Sequence, residues 1–418
     1  MHLEEYRRWR ARCLYSRFMR LAALWIATGA LALADLAGVF SGALDHPAIE
    51  YSTRPVDDPA ARLNRRLDHG LTLAFEPEHG YLRALLDALG IPVESQIATF
   101  AKASFQQHLI HPRNARALYF NDAVAVGWVR SGAMLEIASE DPRQGTIFYT
   151  LNQQPGVKPR LVRHDDCLTC HESYDTLGVP GMLLRSVYPA RDGYILRELG
   201  SSNIDHRSPF ERRWGGWFVT GTKDLPRSLA NTSFRTETET AALQPELNGY
   251  LAPGSDIAAL MVFDHQMHLM NLLTRVGWET RFDAYEKSLT PEKLAQMAAE
   301  VTDYMLFVDE ARLEPRVQGT SRFQEAFAAL GPFDGQGRSL RQFDLQHRMM
   351  KYPCSYMIYS AAFDALPTQV KESIYQRMWA ILSGGERGEK YARLSAEDRR
   401  AIAEILRATK NGLPDYFL

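Results

Sequence analysis

The hydrophobic period of this chain changes near residue 255, and that change restricts the fold more than any other feature. Before it, β-branched and aromatic residues come in short runs at 97–100, 117–120, 123–129, 134–138 and 146–151. Turn-formers such as Asn121-Asp122 and Ser131-Gly132 divide them. Runs of that length with that punctuation predict mostly antiparallel strands. Further strands are expected at 182–188 and 194–199, on either side of Pro189-Ala190-Arg191-Asp192-Gly193, and at 216–221. Beyond residue 255 the apolar positions recur at helical spacing, which predicts helices over 255–288, 291–310, 322–330, 341–366, 368–382 and 396–409. Thr290 can cap the second of these with Pro291 at its first position, and Ser395 with Asp398 can cap the last. An earlier helix over 78–89 carries Tyr81, Leu82, Leu85, Leu86 and Leu89 at helical spacing and ends at Gly90. Strands gathered before helices, rather than alternating with them, predict an α+β fold: an antiparallel β-rich middle packed against a mostly helical carboxy-terminal half. The expected organisation is a polar, irregular lead over 44–75, a β-rich region over 76–254 and a helical region over 255–418 that forms one globular unit with it.

The amino terminus points to export. Residues 21–34, LAALWIATGALALA, carry no charge and follow Arg7, Arg8, Arg10, Arg12, Arg17 and Arg20. The run is shorter than the roughly 20 residues that cross a bilayer, and Asp35 would be costly at membrane depth. A signal peptide over 1–43 is therefore expected, cleaved before Leu44 after the small residues Ser41-Gly42-Ala43, with Met19 as an alternative start. The protein is then periplasmic, or periplasm-facing and membrane-anchored if the segment stays uncleaved. Residues 1–43 hold six Arg and three acidic residues, so the remainder carries 42 basic against 47 acidic side chains. A mildly acidic chain without a basic cluster excludes nucleic acid as the expected partner. Cleavage also removes Cys13, so Cys354 has no partner cysteine outside Cys167 and Cys170, which leaves no disulfide framework; bulky neighbours such as Tyr352, Tyr356 and Met357 predict a buried, inert thiol.

Cys167-Leu168-Thr169-Cys170-His171 carries the chemistry. With four cysteines and twelve histidines in 418 residues, chance would give this pattern in roughly one such chain in a thousand. Two thiols three positions apart can reach the two vinyl groups on one haem edge, and a histidine directly after the second is carried under the ring. The run resembles the attachment site of c-type cytochromes. The resemblance implies one covalent haem c, with Cys167 and Cys170 as anchors and His171 as proximal iron ligand, and it implies attachment outside the cytoplasmic membrane. It covers five residues. Small cytochromes c place the motif near the start of a domain, after a helix; here strands precede it, so their fold is not implied. The flanks Tyr119-Phe120-Asn121-Asp122 and Arg213-Trp214-Gly215-Gly216-Trp217 look like those of large exported bacterial proteins with one such motif, a group that brings no activity with it. A zinc site completed by His108 and His111 is the alternative use of the two thiols.

The second axial ligand decides what such a haem does. His206, in the polar stretch Asn203-Ile204-Asp205-His206-Arg207-Ser208, is the first candidate because a loop position leaves its ring free to turn. Met182, and His265 with His268 on the long predicted helix, are the alternatives. Arg207, Arg212 and Arg213 suit the haem propionates through paired hydrogen bonds. Two strong ligands would make an electron carrier with an unidentified redox partner. An open face would make a haem enzyme or a small-molecule sensor, with Arg207, Glu211 or a histidine handling the ligand.

Overall fold

The computed structural model describes residues 39–221, 227–313 and 316–417, so the apolar run assigned to export lies outside the described residues. Strands β1 (Ile97–Thr99), β2 (Arg116–Phe120), β3 (Val124–Val129), β4 (Met134–Asp141), β5 (Gly145–Asn152) and β6 (Leu161–Arg163) pair antiparallel in chain order. The chain then makes a separate hairpin, β7 (Arg185–Val187) with β8 (Ser201–Asn203), before β9 (Trp217–Phe218) pairs with β1. The outcome is a seven-stranded antiparallel sheet with β6 at one edge and β9 at the other. A last short hairpin, β10 (Thr232–Phe234) with β11 (Thr240–Ala242), precedes the helices. The fold is α+β.

Local chemistry sets the reversals. Asn121 Oδ1 accepts from the backbone N–H of Ala123 and Val124 at 3.0 and 2.9 Å, which turns β2 into β3. Asp141 Oδ1 does the same for Arg143 and Gln144, both at 2.9 Å, between β4 and β5. Gly145 follows at φ +81°, where a Cβ would stand 2.9 Å from Pro180 O and 2.6 Å from Thr274 Cγ2, so only glycine fits.

The pairing register assigns every strand residue to a face. One face, with Tyr119, Val126, Leu135, Ile137, Tyr149 and Leu151, is buried. It is covered by α1 (Pro59–Asp68) and α2 (Leu82–Leu89). Asp58 caps α1, accepting from Ala60 N at 2.8 Å and Ala61 N at 3.1 Å, while its other oxygen accepts from Tyr149 OH at 2.7 Å. The opposite face divides along its length. At the end of the Asn121 and Asp141 turns, α4 (Ile257–Tyr285) lies across it, with Phe263 4.8 Å from Phe120 and Thr274 Oγ1 donating to Glu140 Oε1 at 3.1 Å. Phe148, level with Phe120 across β3 and β4, meets the cysteine motif through His171, 4.8 Å ring to ring. Arg116, Glu136 and Val162 lie on the same face toward the other end. The last four residues of the motif form the single turn α3 (Leu168–His171).

Helix α4 is buried on nearly every side and organises the carboxy-terminal half. Asp256 caps it through Ala258 N at 2.8 Å and also accepts from the N–H of Thr320 and Ser321, both at 2.8 Å. Around it pack α5 (Pro291–Met305), α6 (Phe323–Ala329), α7 (Ala361–Asp364), α8 (Thr368–Leu382) and α9 (Ala396–Thr409). Cys354 is fully buried among them, and burial pushes its thiol up to about 12.

Four stretches depart from the sequence-based expectation. The lead over 44–75 contains α1, whose Asp58-Pro59 start and inward Ala60, Ala61, Leu63 and Leu67 supply a capped amphipathic helix inside a polar composition. The helix expected over 341–366 is a set of turns ending in the short α7, because Pro353 interrupts it and Asp344 Oδ1 accepts from Gln346 N and His347 N. The helix expected to reach residue 310 ends at Met305. The strand expected over 194–199 is a 3₁₀ turn at Arg197–Leu199, with the pairing displaced to β8.

Candidate functional site

The motif is built on a 3₁₀ turn, Asp165–Cys167, that runs directly into α3. A helical turn carries residues three apart to neighbouring positions, so Cys167 and Cys170 lie on one side. Both are free thiols; Cys167 is half-buried and Cys170 exposed. Burial, followed by the carboxylate of Glu136, pushes the Cys167 thiol up to about 11.

His171 ends the turn. Its Nδ1 lies 2.9 Å from Gly181 O, and Gly181 N donates back to His171 O at 2.9 Å. A carbonyl only accepts, so Nδ1 must carry the proton and Nε2 is left with its lone pair. Burial lowers the pKa of the ring, which keeps it neutral. Its centroid is 4.8 Å from that of Phe148. Gly181 is fixed in turn: a Cβ there would meet Asn271 Oδ1 at 2.1 Å, and Asn271 Nδ2 donates to Met182 O at 2.7 Å from α4. The central helix thus holds the segment that orients His171.

Around the motif the face is apolar yet open. Phe105, Val162 and Tyr174 are 47, 56 and 55% exposed. Phe105 lies 5.0 Å ring to ring from His164 and donates its N–H to Glu136 Oε1 at 3.0 Å, while Val162 stands opposite Thr150 on the face of Phe148.

The other histidines gather elsewhere. The sequence puts His206 in a polar loop with a ring free to turn; the structure buries it, at 2% exposure, because the loop folds over α4. His206 Nδ1 lies 2.8 Å from His265 Nδ1, and His265 Nε2 lies 2.7 Å from Ser355 Oγ. Tyr304 and Phe307 wall the pair, with centroids 4.3 and 4.9 Å from that of His206. Burial drives both rings toward the neutral form, His265 to about 3. His268 sits at the rim, 3.3 Å from Arg207 Nη2 and 3.8 Å from Asp205 Oδ2, with its pKa lowered by burial to about 4. Among the described residues no hydrogen bond, ion pair or ring contact joins His171 to His206, His265 or His268.

Of the remaining expected partners, Met182, Arg207 and Arg213 are engaged elsewhere. Met182 is buried in the main core, directly after the Gly181 carbonyl that holds Nδ1, and its own carbonyl accepts from Asn271 Nδ2 at 2.7 Å. Arg207 is forked onto Asp205, with Nη2 at 2.6 Å. Arg213 is buried, donates to Ser208 O and His206 O at 2.8 and 2.9 Å, and stands 3.6 Å from Asp264, which also accepts from Trp214 Nε1 at 3.0 Å. Arg212 is exposed. The residues that do face the motif, Arg116, Glu136, Phe148 and the Gly181 carbonyl, belong to strands and a loop whose meeting depends on cross-strand register; only the alternation along β2 and β4 hints at it. Among the described residues no three metal-ligating side chains gather, His108 and His111 included. No protein family, no curated protein and no solved structure matches this chain.

Proposed function

We propose that this is an exported haem c protein, with one haem held by Cys167 and Cys170 through thioethers and by His171 through Nε2, and that it passes single electrons. The observation that carries the reading is the Nδ1 bond of His171 to Gly181 O, which leaves Nε2 bare directly after two free thiols. A histidine ligand with its other nitrogen bonded to a carbonyl is the arrangement that fixes tautomer and orientation at metal sites. The residues present fit the group: thiols on one side of a turn, a neutral imidazole, and an apolar floor and rim from Phe148, Phe105 and Val162. A bound haem supplies a one-electron carrier. The chain's own residues would anchor it through the two thiols and orient the imidazole through Gly181, with Phe148 packed against that imidazole. The exposure of Cys170, Phe105 and Val162 leaves an edge within reach of a redox partner.

A second reading, a haem enzyme or small-molecule sensor, is favoured by one observation: His206 and His265, two of the candidate second ligands, are bonded to each other. Iron without a strong second ligand would be open to cyanide or peroxide. Visible spectra of the ferric and ferrous protein separate the two. Low-spin iron that cycles reversibly and ignores added cyanide supports electron transfer; high-spin iron that takes up cyanide readily supports the second reading.

The periplasmic location belongs to the same proposal. No helix among the described residues is long and apolar enough to cross a membrane. Sequencing the mature protein should find its amino terminus near Leu44, and an intact terminus in the cytoplasmic fraction would contradict export.

A further inference from the structure

The sheet face beneath the motif carries two opposite charges that the attachment motif does not account for. Arg116 stands on β2 and Glu136 on β4, and β3 between them presents Gly127 to the same face. A Cβ at Gly127 would lie 2.6 Å from Arg116 Nη2, so the guanidinium lies across the bare backbone of that glycine to reach the carboxylate. Nη2 stands 2.7 Å from Glu136 Oε2, and both side chains are mostly buried. Glu136 Oε1 accepts from Ser104 Oγ at 2.8 Å and Phe105 N at 3.0 Å, which pins it to the rim loop. Glu136 faces Thr150, two residues along β5 from Phe148, whose ring touches His171. Neighbours on such a diagonal are roughly 7–8 Å apart. Both charges act on the Cys167 thiol and on the His171 ring. Both charged side chains are mostly buried, so water and salt screen them incompletely.

We propose that Glu136 and Arg116 set the reduction potential of the iron carried by His171, the carboxylate favouring the ferric state and the guanidinium the ferrous. The inference rests on the haem c reading and assigns a role within it. Loss of an electron adds one positive charge to the iron centre. A fixed negative charge nearby favours that state and lowers the potential; a fixed positive charge opposes it and raises the potential. Held together, the two oppose each other. Gly127 permits the pairing, since any side chain there would lift the guanidinium off the sheet.

The test is a redox titration of full-length matured protein, followed by haem absorbance, with haem staining after denaturation run in parallel. Glu136→Gln keeps an acceptor for Ser104 and Phe105 and should raise the midpoint. Arg116→Met keeps the apolar stem and should lower it, while Arg116→Lys should stay close to wild type. The double variant should return toward wild type. Stained protein in which neither single variant moves the midpoint, or both move it the same way, overturns the inference and leaves the haem reading standing. Wild-type protein without stain overturns the haem reading and this inference with it. If Arg116→Met does not accumulate, the direction of the Glu136→Gln shift decides alone.

Discussion

His171 and His265 each have a ring nitrogen tied to a neighbour, but their second nitrogens meet opposite surroundings. At His171 the Gly181 carbonyl takes the Nδ1 proton, and among the described residues Nε2 makes no hydrogen bond. The ring lies beside two free thiols on a half-open sheet face. At His265 both nitrogens are engaged, Nδ1 with His206 and Nε2 with Ser355, inside a fully buried shell of Tyr304, Phe307 and Tyr356. A ring bonded at both ends in the core is a structural crosslink between α4, the loop over it and the segment carrying Ser355, whereas the His171 ring keeps one nitrogen without a protein partner among the described residues. Spacing sets His171 apart through the motif, and in the structure hydrogen-bond partners separate the two sites as well.

The largest expected effect follows from that contrast. His171→Ala should abolish the iron spectrum of wild type, because it removes the ligand built into the motif, whereas His206→Ala should leave that spectrum unchanged. A spectral change in His206→Ala with none in His171→Ala would break the comparison outright.

Next in size, the buried pair should matter to stability. His206→Ala leaves His265 Nδ1 without its partner and opens a cavity against Tyr304 and Phe307, together costing about 2–4 kcal/mol in denaturant unfolding. A variant as stable as wild type would show that the pair contributes nothing to the core.

The smallest effect is on pH dependence. Burial holds His265 near 3 and His268 near 4, while an unfolded chain takes up those protons near 6.5. The unfolded state therefore binds more protons in that window, so stability present above pH of about 6.5 is lost as pH falls toward 4, by at most about 1.4 kcal/mol per unit for each ring. Glu140, buried under α4 between Thr146 and Thr274, works the other way, since burial pushes it up to about 8. Its contribution is complete below pH of about 4.5 and is lost as pH rises toward 8. Buried Asp264 and Glu310, each raised to about 7, act in the same direction as Glu140, so a variant separates the contributions: Glu140→Gln should remove a loss of stability that runs from pH of about 4.5 to 8. A Glu140→Gln variant whose stability follows the wild-type pH dependence between about 4.5 and 8 would contradict this account of Glu140.

The difference between the two histidine sites also marks what could be inferred from sequence. The motif was legible because its five residues are contiguous and a single turn suffices to juxtapose them. Helices α8 and α9 were legible from local signals, the helical spacing of apolar residues in both and the Ser395 and Asp398 capping box on the second. His206 was not, because Asn203, Asp205, Arg207 and Ser208 around it suggest solvent. The Asp205 and Arg207 pair in fact forms the polar cover over a buried ring, with Arg207 4.9 Å above Tyr304. The charged floor of Arg116 and Glu136 was hidden for a different reason: it exists only through the register of three strands. Residues 341–366 were misleading because their contacts are tertiary, such as Met349 N to Glu310 Oε1 at 2.7 Å and Val317 N to Leu345 O at 2.9 Å.

Covalent attachment is the claim on which the rest depends. Full-length protein produced with a working haem-maturation system should keep its haem through denaturation, detected by peroxidase staining on a denaturing gel and by a mass increase of one haem, and Cys167→Ala with Cys170→Ala should lose both signals. Wild-type protein that leaves maturation with unmodified mass and no stain would contradict the account.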